Sequence, residues 1–191
     1  MTALAAQETV RLLLVCGSLR AGSTNAAVLK TVQAVAPGGV ETASYDGMGV
    51  LPHFNPDDDY EPLPPAVTDL RAGVAAARAV LFCTPEYAGA LPGSFKNLLD
   101  WTVGGGEIYG KPVAWINVSG TAAPTGGADA HESLRKVLGY VGAEIVEDAC
   151  SAIPVARRLV DADGLIRDDE IRARLARVLD ALAGHLRQAG S

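Results

Sequence analysis

The sequence predicts a doubly wound α/β domain, one parallel sheet of five strands with helices on both faces. Three observations predict it. Short apolar runs alternate with longer helix-like stretches along the whole chain. The runs are continuously apolar rather than alternating, as strands are when both faces of a parallel sheet are covered. The 191 residues, 49% of them hydrophobic, suffice for one good core and are too few for two comfortable domains.

The elements follow in order. Residues 1–9 lack the basic start and apolar centre of a secretion signal and read as a flexible tail, so the single domain spans 10–191. The first apolar run, 10–16, is a strand, and 24–35 after it is a helix. A second strand is expected at 40–45. The stretch Leu51 to Pro65 carries Pro52, Pro56, Pro62, Pro64 and Pro65 and is a long loop leading to a helix at 64–76. The third strand, 79–84, precedes a helix at 92–102, where Pro92 suits a first helical position. A fourth strand at 112–118, a helix at 127–141, a fifth strand at 143–150 and a helix at 168–187 complete the alternation. Five such units fit the flavodoxin-like strand order 2-1-3-4-5. In that order ligands bind beyond the carboxyl ends of the first and third strands, which directs attention to the loops after Cys16 and Cys83.

The first of these loops, Gly17-Ser18-Leu19-Arg20-Ala21-Gly22-Ser23-Thr24-Asn25, joins a buried strand to a helix. The first turn of a helix carries N–H groups with no internal partner and a partial positive charge, which suits a phosphate. Ser18, Ser23 and Asn25 add side-chain donors and Arg20 adds a full charge. A dinucleotide fingerprint would need glycine at position 19, where Leu19 stands. A triphosphate loop would need lysine where Ser23 stands. A cysteine phosphatase would need its arginine at Gly22, and Arg20 comes too early after Cys16. A terminal monophosphate remains, against the plainer possibility of a helix merely capped by Ser23 or Thr24.

The second loop runs from Thr84 through Pro85, Glu86, Tyr87, Ala88 and Gly89 toward Trp101. Pro85 has no N–H, whereas the four residues after it can present theirs. Gly89 opens backbone geometry closed to other residues. Such a segment can read the polar edge of a flat ring while Tyr87 lies against it.

These residues resemble a known family. Gly17-Ser18-Leu19-Arg20 with Ser23 and Asn25 looks like the G-S-x-R-x-x-S-x-N phosphate motif of NADPH-dependent FMN reductases. Thr84 to Trp101 is similar to that family's T-P-E-Y-N-x-x-x-P-G-x-L-K-N-x-x-D-W segment. Gly110-Lys111-Pro112-Val113, Ser119-Gly120, Gly126-Gly127 and Leu51-Pro52-His53-Phe54-Asn55 extend the resemblance over about 10–146. Two departures stand out: Ala88 replaces the family's asparagine, putting a side-chain contact at the flavin face in question, and Phe95 replaces its leucine.

The resemblance implies that FMN's phosphate sits against Ser18, Arg20, Ser23, Thr24 and Asn25. It implies that the ring lies on Pro85–Gly89, including Ala88, with the N–H groups of Glu86, Tyr87 and Gly89 on its pyrimidine edge, and that Ser119 and Gly120 border it. The flavin carries the redox chemistry, so no catalytic side chain is required. NADPH or NADH would donate and a quinone, azo compound, chromate or free flavin would accept, in a ping-pong sequence on one open face. The resemblance also implies a homodimer or homotetramer, with Trp101 and the glycines that follow near the partner. An electron carrier without direct NAD(P)H oxidation is the alternative reading, and a fold that has lost its cofactor is a third.

Bulk properties agree. The net charge of −6 argues against nucleic acid and anionic membrane as partners. Cys16, Cys83 and Cys150 each end an apolar run without metal-ligand spacing and read as reduced core thiols in a cytoplasmic protein. No metal is expected: Asp57-Asp58-Asp59 sits in a proline-rich loop and reads as a solvated turn. Arg157-Arg158 could bind a 2′-phosphate but reads as a surface pair, and Glu86 could protonate a substrate but reads as structural or solvent-facing.

Overall fold

Strand periodicity divides the core into two layers. The computed structural model describes residues 9–120 and 123–189, so the predicted tail lies outside them except for Thr9. In β1 (Val10–Cys16), Leu12 and Leu14 enter one apolar cluster while Leu13 and Val15 enter the other. The same division runs through β3 (Ala79–Cys83), where Leu81 faces opposite to Val80 and Phe82. In β4 (Pro112–Asn117), Ile116 opposes Val113 and Trp115. Helices α1 (Thr24–Ala34) and α5 (Asp169–Ala189) cover the first layer. Helices α2 (Pro65–Ala76), α3 (Gly93–Asp100) and α4 (Ala128–Tyr140) cover the second. Continuous apolar strands are the direct result of this two-sided cover.

With β2 (Val40–Tyr45) and β5 (Glu144–Ile145), the order is β2-β1-β3-β4-β5 and every pairing is parallel, the flavodoxin-like arrangement expected. All carboxyl ends therefore lie at one edge of the sheet. The last turns of α5 reach the opposite edge, where Arg78, just before β3, donates from Nη2 to the Leu186 carbonyl at 3.4 Å. No helix among the described residues is long and apolar enough to cross a membrane.

The predicted fifth strand, 143–150, is not continuous. β5 ends at Ile145, a helical turn occupies Glu147–Ala149, and β6 (Ser151–Ala152) resumes pairing with Ile116 and Asn117 of β4. Glu147 and Asp148 carry charges that a covered strand does not accept. The turn puts Glu147 outward against Arg135 and Ala149 inward, fully buried. Beyond β6 the chain stays on the sheet edge: Ile153 N–H donates to Asn117 O at 2.7 Å and Val155 N–H to Val118 O at 3.1 Å.

The proline-rich loop is tied down rather than solvated throughout. Asp57 and Asp58 are exposed, as read, but Asp59 accepts from Arg71 Nη2 at 2.5 Å with both side chains about nine-tenths buried. Arg71 also donates from Nε and Nη2 to the Trp101 carbonyl at 3.1 and 2.9 Å. Trp101 is fully buried, with its ring edge-on to Phe54 at 5.0 Å and its Nε1 donating to Pro52 O at 2.8 Å. Only the residues after it are exposed enough to meet a partner, and Val103 is among them. At Gly104 a Cβ would lie 1.9 Å from Asp59 Oδ2, so the glycine is there for close approach.

Candidate functional site

Three loops meet at the carboxyl edge of β1, β3 and β4. The first two are joined through adjacent strand ends. Gly17 N–H donates to Cys83 O at 2.9 Å. A Cβ at Gly17 would lie 2.3 Å from Thr84 Oγ1, 2.6 Å from Thr84 Cβ and 3.1 Å from the Phe95 ring. Glycine is thus obligatory here for space, not for φ. Phe95 is buried edge-on to Phe82 at 5.7 Å, so its replacement of leucine fills the floor beneath the first loop.

Within the first loop, Ser23 is the N-cap of α1, and its Oγ accepts from Asn25 N–H at 3.2 Å. Asn25 is buried, and its Oδ1 accepts from the Cys83 thiol at 3.2 Å, which turns its amide nitrogen toward Ser23. Ser18 Oγ accepts from Arg20 N–H at 3.3 Å. Gly22 has φ +62, the left-handed geometry that reverses the chain into the helix. Among the described residues, the backbone N–H groups of Leu19, Ala21, Gly22 and Thr24 and the Arg20 guanidinium have no partner. Unpaired donors around a helix start are the chemistry a phosphate monoester requires.

The second loop is a tight hairpin. Tyr87 and Ala90 exchange two backbone hydrogen bonds of 3.0 and 3.1 Å, and Ala88 and Gly89 both have positive φ, 53 and 69. This is the type I′ geometry that favours Asn-Gly. The family's asparagine at position 88 therefore has a backbone reason, and Ala88 bears the strain of its absence. Ala88→Asn is expected to raise stability by up to about 1 kcal/mol in urea unfolding, because asparagine tolerates the left-handed region; an unchanged or lower midpoint would remove this explanation. The turn also alters one expectation. The Tyr87 N–H is spent on Ala90 O, so of the three N–H groups assigned to a ring edge those of Glu86 and Gly89 stay open among the described residues, joined by that of Ala88. Tyr87 presents its ring, half-exposed.

The third loop is braced by two side chains that the sequence reading missed. Asn117 donates to Gly126 O at 2.7 Å and accepts from Ser119 N–H at 2.9 Å. Thr125 O–H lies 2.7 Å from both Glu86 carboxylate oxygens, and Ala130 N–H in the first turn of α4 donates to Glu86 at 3.3 Å. Glu86 is thus a strut between the second and third loops at a helix start, where negative charge is favoured. Ser119 is half-buried against Gly127, whose Cβ would meet Ser119 Oγ at 2.6 Å, while Gly120 is open. The structure brings Ser18, Arg20, Ser23, Thr24, Asn25, the 85–89 turn and Ser119-Gly120 to one edge. It adds Arg157, whose Nη2 would lie 2.9 Å from a Cβ at Gly22.

Burial disfavours the thiolate form of all three cysteines. Burial pushes Cys83 well above its usual range, raises Cys16, and lifts Cys150 to about 11. Among the described residues no three His, Cys, Asp or Glu side chains gather as for a metal.

Comparison with known proteins points to one family. The family model for NADPH-dependent FMN reductase matches residues 10–158. The chain is 34% identical to an NAD(P)H-dependent FMN reductase of Pseudomonas aeruginosa over 177 residues, 92% of this chain and 94% of that one. It is 30% identical to a 2-hydroxy-1,4-benzoquinone reductase of a Burkholderia species over 181 residues, 93% and 97% of the two chains. Among solved structures, the flavoenzyme NAD(P)H:(acceptor) oxidoreductase FerB from Paracoccus denitrificans superimposes with a TM-score of 0.81 at 29% identity, covering 94% of this chain and 98% of that one.

Proposed function

The chain belongs to the NADPH-dependent FMN reductase family, and from that membership we propose that it oxidises NAD(P)H and delivers the electrons to a small quinone-type acceptor. The observation that carries this reading is the cluster of donors at Leu19, Arg20, Ala21, Gly22 and Thr24, unpaired among the described residues, beside the open N–H groups of Glu86, Ala88 and Gly89. One end suits a monophosphate, the other a flat heterocycle. FMN, when bound, supplies hydride acceptance and electron delivery, which no side chain here can provide.

The residues have separable duties. Ser18, Arg20, Ser23, Thr24 and Asn25 would hold the phosphate. Pro85, Glu86, Ala88 and Gly89 would seat the ring through backbone groups, with the Tyr87 ring and Ser119-Gly120 as borders. Glu86 braces the ring seat against the third loop through Thr125. The loops form one open edge, which supports donor and acceptor using the same place in turn. Parallel initial-rate plots follow from that order; intersecting plots would overturn it. The names of the relatives favour quinones, and azo compounds, chromate and free flavin complete an acceptor panel.

Anaerobic addition of NADPH to the FMN-loaded protein is expected to bleach the flavin absorbance. Absent bleaching would favour the electron carrier instead. Arg20→Ala is expected to weaken FMN binding by about 1.5–3 kcal/mol, the worth of a charge-assisted hydrogen bond. Unchanged affinity would remove Arg20 from the phosphate site. A homodimer or homotetramer is supported by the exposed Val103, Tyr109 and Tyr140. Light scattering that gave a monomer at micromolar concentration would refute it.

A further inference from the structure

We propose that Arg157 is a second cationic ligand of the cofactor's phosphate, reaching the first loop from the far end of the chain; this rests on the FMN reading above. The segment that carries it is fixed. Ile153 and Val155 are buried and hydrogen-bonded to the end of β4, and the chain then makes a helical turn over Arg157–Leu159. That brings the side chain to the carboxyl edge of the sheet, 135 residues in sequence from the loop it meets (157 − 22).

The guanidinium lies along Gly22. A Cβ there would stand 2.9 Å from Nη2, 3.6 Å from Nη1 and 3.7 Å from Cζ. Gly22 therefore satisfies two demands at once, a positive φ and close approach by a cation. Together with Lys30, Ser23 and Asp161 these residues line a cavity of about 260 Å³. The nearby acid does not take the charge. Asp161 is engaged by Arg167 Nε at 2.6 Å and by Leu165 N–H at 2.8 Å. Lys30 is turned away to the Asp163 carbonyl at 2.5 Å. Among the described residues the Arg157 guanidinium has no hydrogen-bond or ion-pair partner, in a chain with a net charge of −6. An exposed arginine lying unpaired beside a loop of open N–H groups offers five donors to whatever anion the loop takes. Arg20 and Arg157 then flank the phosphate from opposite ends of the chain.

The test compares FMN with riboflavin, which lacks the phosphate, by titrating apoprotein and following flavin fluorescence. Arg157→Gln is expected to raise the Kd for FMN about tenfold or more and to leave that for riboflavin unchanged. Arg158→Gln, its sequence neighbour, should leave both within about twofold. An Arg157→Gln Kd for FMN within twofold of wild type overturns the proposal, as does an equal loss for riboflavin. A variant that keeps its FMN affinity but loses KM for NADPH and not for NADH assigns Arg157 to the nicotinamide's phosphate and overturns it too. If wild type itself does not prefer FMN to riboflavin, the FMN reading has failed. If wild type prefers FMN, Arg20→Ala loses that preference and Arg157→Gln keeps it, only the present inference has failed.

Discussion

Asp59→Ala is expected to destabilise the protein by about 3–5 kcal/mol, because it strands a buried guanidinium. Asp59 and Arg71 retain only 10% and 11% of their side-chain exposure and meet at 2.5 Å. Removing the carboxylate leaves Arg71 with the Trp101 carbonyl alone. Arg71→Met is expected to cost as much, since the Asp59 charge is then buried without its partner. The double variant, Asp59→Leu with Arg71→Met, should recover much of the loss, because an apolar pair carries no unpaid charge. Recovery should be incomplete: the Trp101 carbonyl still lacks its donors, at about 1–3 kcal/mol. Urea unfolding of the three variants measures this directly. Singles that differ from wild type by less than about 1 kcal/mol would mean that the pair is solvated like a surface bridge.

Gly17→Ala is expected to lose FMN affinity more than tenfold and to cost about 1–3 kcal/mol of stability through overpacking. The new methyl would meet Thr84 Oγ1 at 2.3 Å and Thr84 Cβ at 2.6 Å, so no rotamer of Thr84 relieves it. The two loops must move apart, and the proposed phosphate and ring seats lose their spacing. Thr84→Ala keeps the offending Cβ and should not rescue; Thr84→Gly removes it and should. Rescue by alanine would point to a rotamer clash instead. Calorimetric titration with FMN separates the affinity loss from the stability loss, which thermal unfolding reads.

The strand and helix alternation was legible because both faces of the sheet are covered, which leaves each strand a continuous apolar run. The start of α1 was legible for a similar reason: Gly22 and Ser23 satisfy the local geometry of a strand-to-helix junction. The fifth strand was misread because Glu147 and Asp148 interrupt an otherwise apolar run, and only the Arg135 contact shows where the charge goes. Asp59 was misread as part of a solvated turn because its partner Arg71 is 12 residues away (71 − 59), and the particular contacts of Glu86 with Thr125 and of Arg157 with Gly22 went unread because they span 39 and 135 residues (125 − 86, 157 − 22). Such contacts have no local pattern. Position 88 could have been read sooner, since an alanine before glycine in a two-residue turn is a conformational mismatch.

The return of α5 to the edge opposite the loops, where Leu186 meets Arg78, has a practical side. The exposed Thr9, ahead of β1, and the exposed Arg187, in the last turn of α5, both lie on the side away from the three loops. A bead, an electrode film or a fused domain coupled through either one would hold the protein by its back. The loop edge proposed to hold the flavin would then face outward, open to small oxidants in the bulk.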